Sequence, residues 1–157
     1  EKALKNIYTA AHTHCNEKEI MVIVDGDDYL IGTQILRFLN FKYQTKNLLA
    51  AYTNYLRIHS PFYVKVGTST AYPNNVFRQK AFRKHFKMFR ASHLRSYFVG
   101  LFRNIKQEDL MDQNGEFFAA ANDFAIMMPI LEMASPNFEY LPELTYLYDS
   151  GTGLNNF

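Results

Sequence analysis

Three of the four residues in the segment 25–28, Asp-Gly-Asp-Asp, carry carboxylates, and they directly follow a short apolar segment, 20–24. The apolar and mostly β-branched composition of 20–24 predicts a strand buried on both faces, as in a parallel sheet. Carboxylates crowded at the end of a strand repel one another, and a hard cation such as Mg²⁺ or Mn²⁺ relieves the repulsion. Because ligands in open α/β sheets bind outside the carboxyl ends of strands, the spacing favours a metal or ligand site at this turn.

Two other interpretations of this acidic turn compete with a metal site. Asp-Gly is a common turn dipeptide, so a turn that is simply solvated stays open as an alternative. A calcium loop between two helices is excluded by the spacing. Counting from Asp25, the sixth position should be glycine and is Leu30, and the twelfth should be glutamate and is Leu36.

The charged residues are unevenly distributed along the chain. The 17 Lys and Arg residues and the 15 Asp and Glu residues give a formal net charge of +2, which by itself indicates no polyanionic partner. No acid lies between Tyr29 and Gln107, whereas every basic residue except Lys2, Lys5 and Lys18 does. This asymmetry predicts either a solvated basic face or a segment that meets an anionic ligand.

Length and composition restrict the class of protein. The 157 residues predict a single domain, 1–157, and the 48% hydrophobic and 20% charged residues exclude a disordered or collagen-like chain. No run of about 18 apolar residues occurs, so no membrane span is expected. The single cysteine, Cys15, excludes an internal disulfide and favours a reducing, cytoplasmic location.

Hydrophobic periodicity predicts an α/β domain in which helices and strands alternate. Apolar residues at helical spacing predict helices over 4–15, 34–43, 92–105 and 122–134, the last interrupted or kinked by Pro129. Short apolar and aromatic runs predict strands over 20–24, 48–55, 138–141 and 144–148.

The segment 20–30, Ile-Met-Val-Ile-Val-Asp-Gly-Asp-Asp-Tyr-Leu, resembles the metal-binding strand and Asp-x-Asp motif of family-two glycosyltransferases. That family has the A-type nucleotide-sugar transferase fold, a mostly parallel or mixed sheet flanked by helices. The likeness covers nearly the whole chain in the family's order, which makes it stronger than a lone Asp-x-Asp. Four further segments carry it: the helix 5–12 before the motif, the segment 92–95 that opens an aromatic helix, the base-carrying helix 122–134, and the later strands within 141–148.

The resemblance implies a glycosyltransferase of the hexosyltransferase type. Such an enzyme transfers a sugar with inversion from a nucleotide-sugar donor to an acceptor hydroxyl on a carbohydrate, lipid or protein. Asp25 and Asp27 would hold Mn²⁺ or Mg²⁺, which would act as a Lewis acid toward the departing nucleotide. Asp123 would be the general base that takes the proton of the acceptor hydroxyl. The remaining implied contacts are those of Asp25, Gly26, Asp28 and Lys5 with the donor, and those of His93 and Arg95 with the substrate.

The chain departs from the family pattern in two places. The strand–helix–strand half that cradles the nucleotide base in the family does not precede Glu1, so the chain resembles the C-terminal portion of a larger catalytic domain. Asn122 replaces the acidic residue that often precedes the base, although Asp123 itself is retained. Without the resemblance, the favoured interpretation of Asp123 is an acid that stabilises a helix N-terminus.

Basic and aromatic side chains are interleaved in 76–103, which we call the basic aromatic segment. The first interpretation is an amphipathic stretch with aromatic side chains inward and cations in solvent. The resemblance adds a second, in which Arg95 and its neighbours face an anionic diphosphate or acceptor. Binding of single-stranded nucleic acid ranks third, so a nucleic-acid partner is not expected. A non-catalytic module that binds carbohydrate or nucleic acid through this segment is the alternative function.

Overall fold

The computed structural model describes residues 3–59 and 63–151, apart from the side chains of residues 85, 86 and 88. Within these residues, six strands form one sheet with helices packed against it. In chain order the elements are α1 (Ala3–Thr13), β1 (Ile20–Ile23), β2 (Tyr29–Leu30), α2 (Ile35–Lys46), β3 (Ala50–His59), β4 (Tyr63–Val66), α3 (Asn74–Gln79), a 3₁₀ helix (Arg83–Met88), β5 (Arg95–Phe98), α4 (Val99–Arg103), a second 3₁₀ helix (Gln107–Leu110), α5 (Asn122–Ala134) and β6 (Phe138–Asp149).

The sheet is mixed. The strands lie in the order β1-β5-β3-β6-β2, and β4 pairs with the C-terminal part of β3. β3 and β6 are parallel, whereas the other ladders between the described strands are antiparallel. The prediction of an α/β chain with a mixed sheet flanked by helices is confirmed. The strand expected to be buried on both faces in a parallel sheet, β1, is instead half-buried, because in the described residues it pairs only with β5, and antiparallel.

The two faces of the sheet bury two different hydrophobic clusters. Successive side chains of a strand point to opposite faces. Ala50 and Tyr52 of β3 therefore join the larger cluster, which includes residues of α1, α4 and α5, while Ala51 joins the smaller one. The smaller cluster contains Leu39 and Tyr43 of α2.

The predicted helices over 4–15, 34–43 and 122–134 are present as α1, α2 and α5. α5 runs from Asn122 to Ala134 with Pro129 inside it, so the proline does not end the helix. None of the helices in the described ranges is both long and apolar enough to cross a membrane.

The single helix predicted over 92–105 is wrong, because this segment forms β5 followed by α4. Leu94, Phe98 and Leu101 do lie at helical spacing. However, residues 95–98 hydrogen-bond to β1 on one side and to β3 on the other, and this long-range pairing overrides the local pattern.

The two strands predicted around Pro142 are one strand, β6. Proline has no N–H to donate to a ladder, and it is found in sheets at edges and bulges. Here the register against β3 shifts between the pairs Tyr52–Tyr140 and Asn54–Leu144, so β6 carries extra residues at this point. This irregularity accommodates Pro142 without ending the strand.

Candidate functional site

A cleft of about 750 Å³ lies where β1 ends. The acidic turn, β5 and the segment that leads into α5 contribute to its lining. His93, two residues before β5, also lines it. Residues that are distant in the sequence therefore meet at one cavity. Six of the predicted site residues line it: Asp25, Gly26, Asp27, His93, Arg95 and Asp123.

Two predicted donor-binding residues do not line this cleft. Lys5 is exposed on α1, although Ala3 and Ile7 of the same helix do line it. Asp28 is buried, and its carboxylate accepts hydrogen bonds from the Tyr146 hydroxyl at 2.7 Å and from the Asp149 backbone N–H at 2.8 Å. Burial raises the pKa of the Asp28 carboxyl. Asp28 thus anchors the turn against β6.

Arg95 links two carboxylates that line the cleft. Its side chain is buried, and Nη2 lies 3.2 Å from Oδ2 of Asp25. Nη1 lies 3.9 Å from Oδ2 of Asp123. One planar guanidinium therefore faces two carboxylates that are far apart in sequence, an arrangement that a single lysine ammonium cannot reproduce.

His93 is buried among aromatic rings next to the acidic turn. Its imidazole stacks on Tyr146 at a centroid distance of 4.7 Å and on Tyr148 at 5.1 Å, and Tyr55 packs edge-on against it. Burial, with a smaller contribution from the Arg95 charge, lowers the pKa of His93 to about 3. The imidazole is therefore neutral at physiological pH and has a lone pair that can bind a metal or accept a hydrogen bond.

The donor atoms of Asp25, Asp28 and His93 all lie within 4.8 Å of one another. Two carboxylates and a neutral imidazole suit a borderline cation such as Mn²⁺ better than Mg²⁺, which prefers oxygen ligands. His93 Nδ1 is buried and has no hydrogen-bond partner among the described residues, which fits a ligand position. The expected pair, Asp25 and Asp27, shares Asp25 with this group, and Asp27 lines the adjoining cleft.

Asp123 lies in the first turn of α5 and is half-buried. The preceding Ala121 takes a φ of 56°, a left-handed conformation uncommon for alanine, immediately before the helix. The Asp123 carboxylate accepts a 2.8 Å hydrogen bond from the Phe124 N–H through Oδ1, while Oδ2 faces Arg95. A helix start thus holds this carboxylate at the cleft, so a structural and a chemical role are compatible.

The basic aromatic segment packs its described rings inward, and the side chain of Phe86 lies outside the described residues. Phe82 and Tyr97 are fully buried, and Phe77, Phe89 and Phe98 pack against the two hydrophobic clusters. These side chains are therefore not placed to stack on exposed bases. Four of its cations have protein partners: Arg95 faces Asp25 and Asp123, Arg83 pairs with Glu132, Arg90 donates to the Thr70 hydroxyl, and Arg103 donates to the carbonyls of Ala11 and Cys15.

Sequence reasoning missed the contribution of tyrosines to the site. The sequence pattern predicts only a strand for Tyr146 and Tyr148, and it places Tyr97 only in the basic aromatic segment. The alternation of Tyr140, Tyr146 and Tyr148 along β6 was visible, but no local signal indicates that two of these rings stack on His93. That contact depends on how β6 pairs across the sheet.

The comparisons with known proteins do not indicate a function for this chain, so the functional conclusion depends on the geometry of the cleft. No protein-family model and no curated protein matches the chain.

Proposed function

We propose that this protein is a glycosyltransferase that moves a hexosyl group from a nucleotide-sugar donor to an acceptor hydroxyl, with inversion, in the cleft at the end of β1. The observation that carries the proposal is the shared contact of Arg95 with Asp25 and Asp123. The first carboxylate belongs to the expected donor and metal site, and the second is the expected base. We further propose that the mixed sheet is part of an A-type nucleotide-sugar transferase fold.

The carboxylates of Asp123 and Asp25 have distinct chemical roles in this proposal. Asp123 takes the proton of the acceptor hydroxyl as the oxygen attacks the anomeric carbon. Asp25, together with Asp28 and His93, is suited to hold a divalent cation. When bound, that cation supplies Lewis-acid stabilisation for the departing nucleotide diphosphate. Arg95 holds the two carboxylates in a fixed relation, which keeps the base oriented toward the donor.

The acceptor is the less defined substrate. A carbohydrate, lipid or protein hydroxyl satisfies the same chemistry, because only one O–H has to reach the Asp123 carboxylate. The reaction needs no second nucleophilic carboxylate, since inversion takes place in a single displacement.

The test is a measurement of donor hydrolysis or transfer by the purified protein with Mn²⁺, across a panel of nucleotide-sugars. Asp25→Asn, Asp27→Ala and Asp123→Asn should each lower the rate by about 100-fold or more, because each removes a charge that acts on the reacting groups. Arg95→Lys should also lose activity, since it keeps the charge but not the planar contact with both carboxylates.

Asp109→Asn is the matched control, because Asp109 is an exposed acid in the second 3₁₀ helix and does not line the cleft. It should retain the wild-type rate. Wild-type rates in both Asp25→Asn and Asp123→Asn would disprove the proposed function.

A further inference from the structure

Buried polar atoms without partners are concentrated in the cleft. Such atoms are unfavourable in a folded protein, so most are paired. Across the described side chains, six buried polar atoms have no hydrogen-bond partner. Four of these belong to residues that line the cleft: Nδ1 of His93, Nε of Arg95, the hydroxyl of Tyr97 and Oδ1 of Asn122. Their clustering at one cavity indicates a ligand that supplies the missing hydrogen bonds.

Tyr97 is the most informative of the four. Tyr97 is fully buried, and its ring stacks on Phe102 with an interplanar angle of 13° and a centroid distance of 6.1 Å. The ring is therefore held in place, and Tyr97 is one of the residues that line the cleft. Burial raises the pKa of this hydroxyl, so it stays protonated and can both donate and accept a hydrogen bond.

The charge of the cleft indicates what kind of group these atoms meet. Asp25, Asp27 and Asp123 line it, and Arg95 is the sole Lys or Arg among the described lining residues. The guanidinium already faces two of these carboxylates, and the charge of the proposed cation is matched by the donor's diphosphate, so little positive potential is left for a carboxylate on the sugar. Neutral hydroxyl groups, which donate and accept, complement the Tyr97 hydroxyl and the Asn122 amide.

The apolar part of the lining fits the same kind of ligand. Ile7, Ile23 and Ile126 contribute aliphatic surface next to the polar atoms, and the alanines at 119–121 leave room. A sugar ring has polar hydroxyls at its edge and C–H groups on its faces, so both parts of this lining find a counterpart on it.

We propose that Tyr97 and Asn122 bind hydroxyl groups of the donor's sugar, and that the cleft selects a neutral hexosyl group over one that carries a carboxylate. This inference rests on the proposed function, because it assigns the sugar subsite of the same cleft. Tyr97 and Asn122 are then specificity-determining residues, and the Tyr97 hydroxyl and Asn122 Oδ1 lack a partner among the described residues because their partner is the substrate.

The first arm of the test measures thermal stability without any donor. Tyr97→Phe removes a hydroxyl that has no partner in the described structure, so the melting temperature should stay unchanged or rise. The matched control is Tyr43→Phe, which removes a buried hydroxyl that donates a 3.0 Å hydrogen bond to Ser96 outside the cleft. The control should melt at a lower temperature than the wild type. If the melting temperature of Tyr97→Phe falls as much as that of Tyr43→Phe, the inference is overturned.

The second arm measures binding by calorimetry in the presence of Mn²⁺. The probes are UDP-glucose, UDP-galactose, UDP-N-acetylglucosamine, GDP-mannose, UDP-glucuronic acid, and UDP or GDP alone. Tyr97→Phe and Asn122→Ala should each weaken the best neutral donor about fivefold, the effect of one lost hydrogen bond, and leave the nucleotide diphosphate unaffected. Tyr43→Phe should bind every probe as the wild type does. UDP-glucose should bind at least about tenfold more tightly than UDP-glucuronic acid.

The outcomes separate the two proposals. If neutral donors bind but Tyr97→Phe binds them as tightly as the wild type, or weakens the free nucleotide equally, the inference is overturned while the proposed function stands. Equal affinity for UDP-glucose and UDP-glucuronic acid would overturn the selection of a neutral sugar. If no donor binds to the wild type, the proposed function fails and the inference fails with it.

Discussion

The hydroxyl of Tyr146 donates a 2.7 Å hydrogen bond to Oδ2 of Asp28 and accepts one of 3.1 Å from the backbone N–H of Asp25. Tyr146 lies on β6, and two strands, β5 and β3, separate β6 from β1 in the sheet. One side chain thus ties the acidic turn after β1 to a strand on the other side of the sheet. The position of the carboxylates in the cleft depends on this tie.

Tyr146→Phe should lower the free energy of unfolding by about 2 kcal/mol. The change leaves a buried carboxylate and a backbone N–H each short of one hydrogen bond, and bonds to charged groups are worth more than neutral ones. Urea unfolding monitored by circular dichroism measures the difference.

Tyr148→Phe is the control for that experiment. Tyr148 lies on the same strand, and its hydroxyl makes no hydrogen bond within the portion of the chain that the structure describes. Its loss should change the free energy of unfolding by less than about 0.5 kcal/mol. Equal stability of Tyr146→Phe and the wild type would contradict the anchoring role of Tyr146.

The low pKa of His93 predicts a loss of stability in acid. The pKa is about 3 in the folded protein and about 6.5 in an unfolded chain, so between these values only the unfolded chain binds the proton. The contribution of the neutral imidazole is complete above pH 6.5 and is lost as the pH falls toward 3. Between pH 7.5 and pH 5 the loss from this group should be about 2 kcal/mol.

His93→Phe should remove that part of the pH dependence, because phenylalanine keeps a ring between Tyr146 and Tyr148 but does not titrate. Urea titrations at pH 7.5 and pH 5 compare the two proteins. Burial raises the pKa of the Asp28 carboxyl, so its titration raises stability as the pH falls, opposite to the effect of His93. Asp28 is present in both the wild type and His93→Phe, so its effect does not distinguish them. If the stability of His93→Phe depends on pH as that of the wild type does, His93 is not the source of the pH dependence.

Gly67 is required by the packing of the Tyr55 ring, which lies against His93. A Cβ at position 67 would overlap the ring of Tyr55, which packs against His93 and Tyr148 and therefore has little room to move. Gly67→Ala should cost about 1–3 kcal/mol of stability, the usual effect of overpacking. Thermal unfolding measures the change.

Gly26→Ala is the comparison for Gly67→Ala, because a Cβ at Gly26 has no atom within 4 Å. Its free energy of unfolding should stay within about 0.5 kcal/mol of the wild type. A double variant, Tyr55→Ala with Gly67→Ala, should lose less than the sum of the two single losses, since it removes the overlap. Strict additivity of the two losses would show that the ring and the added methyl do not meet.

Local patterns were sufficient for much of this protein. Helical spacing of apolar residues located α1, α2 and α5, and the turn chemistry of 25–28 located the acidic wall of the cleft. These features depend on residues that are neighbours in the chain, so they are visible without the fold. Local pattern was misleading at 92–105, where a helical period competes with two β-ladders formed by distant residues.

Residue types and their order in the chain predict which side chains could do chemistry: the carboxylates of the acidic turn, Asp123, His93 and Arg95. Which of these side chains meet depends on how the strands pair. Arg95 contacts both Asp25 and Asp123, and His93 lies between tyrosines of β6, because β5 pairs with β1 and β3 while β3 pairs with β6. Such contacts join residues 28 to 70 positions apart, and their geometry follows from strand register and burial, which no local window of sequence contains.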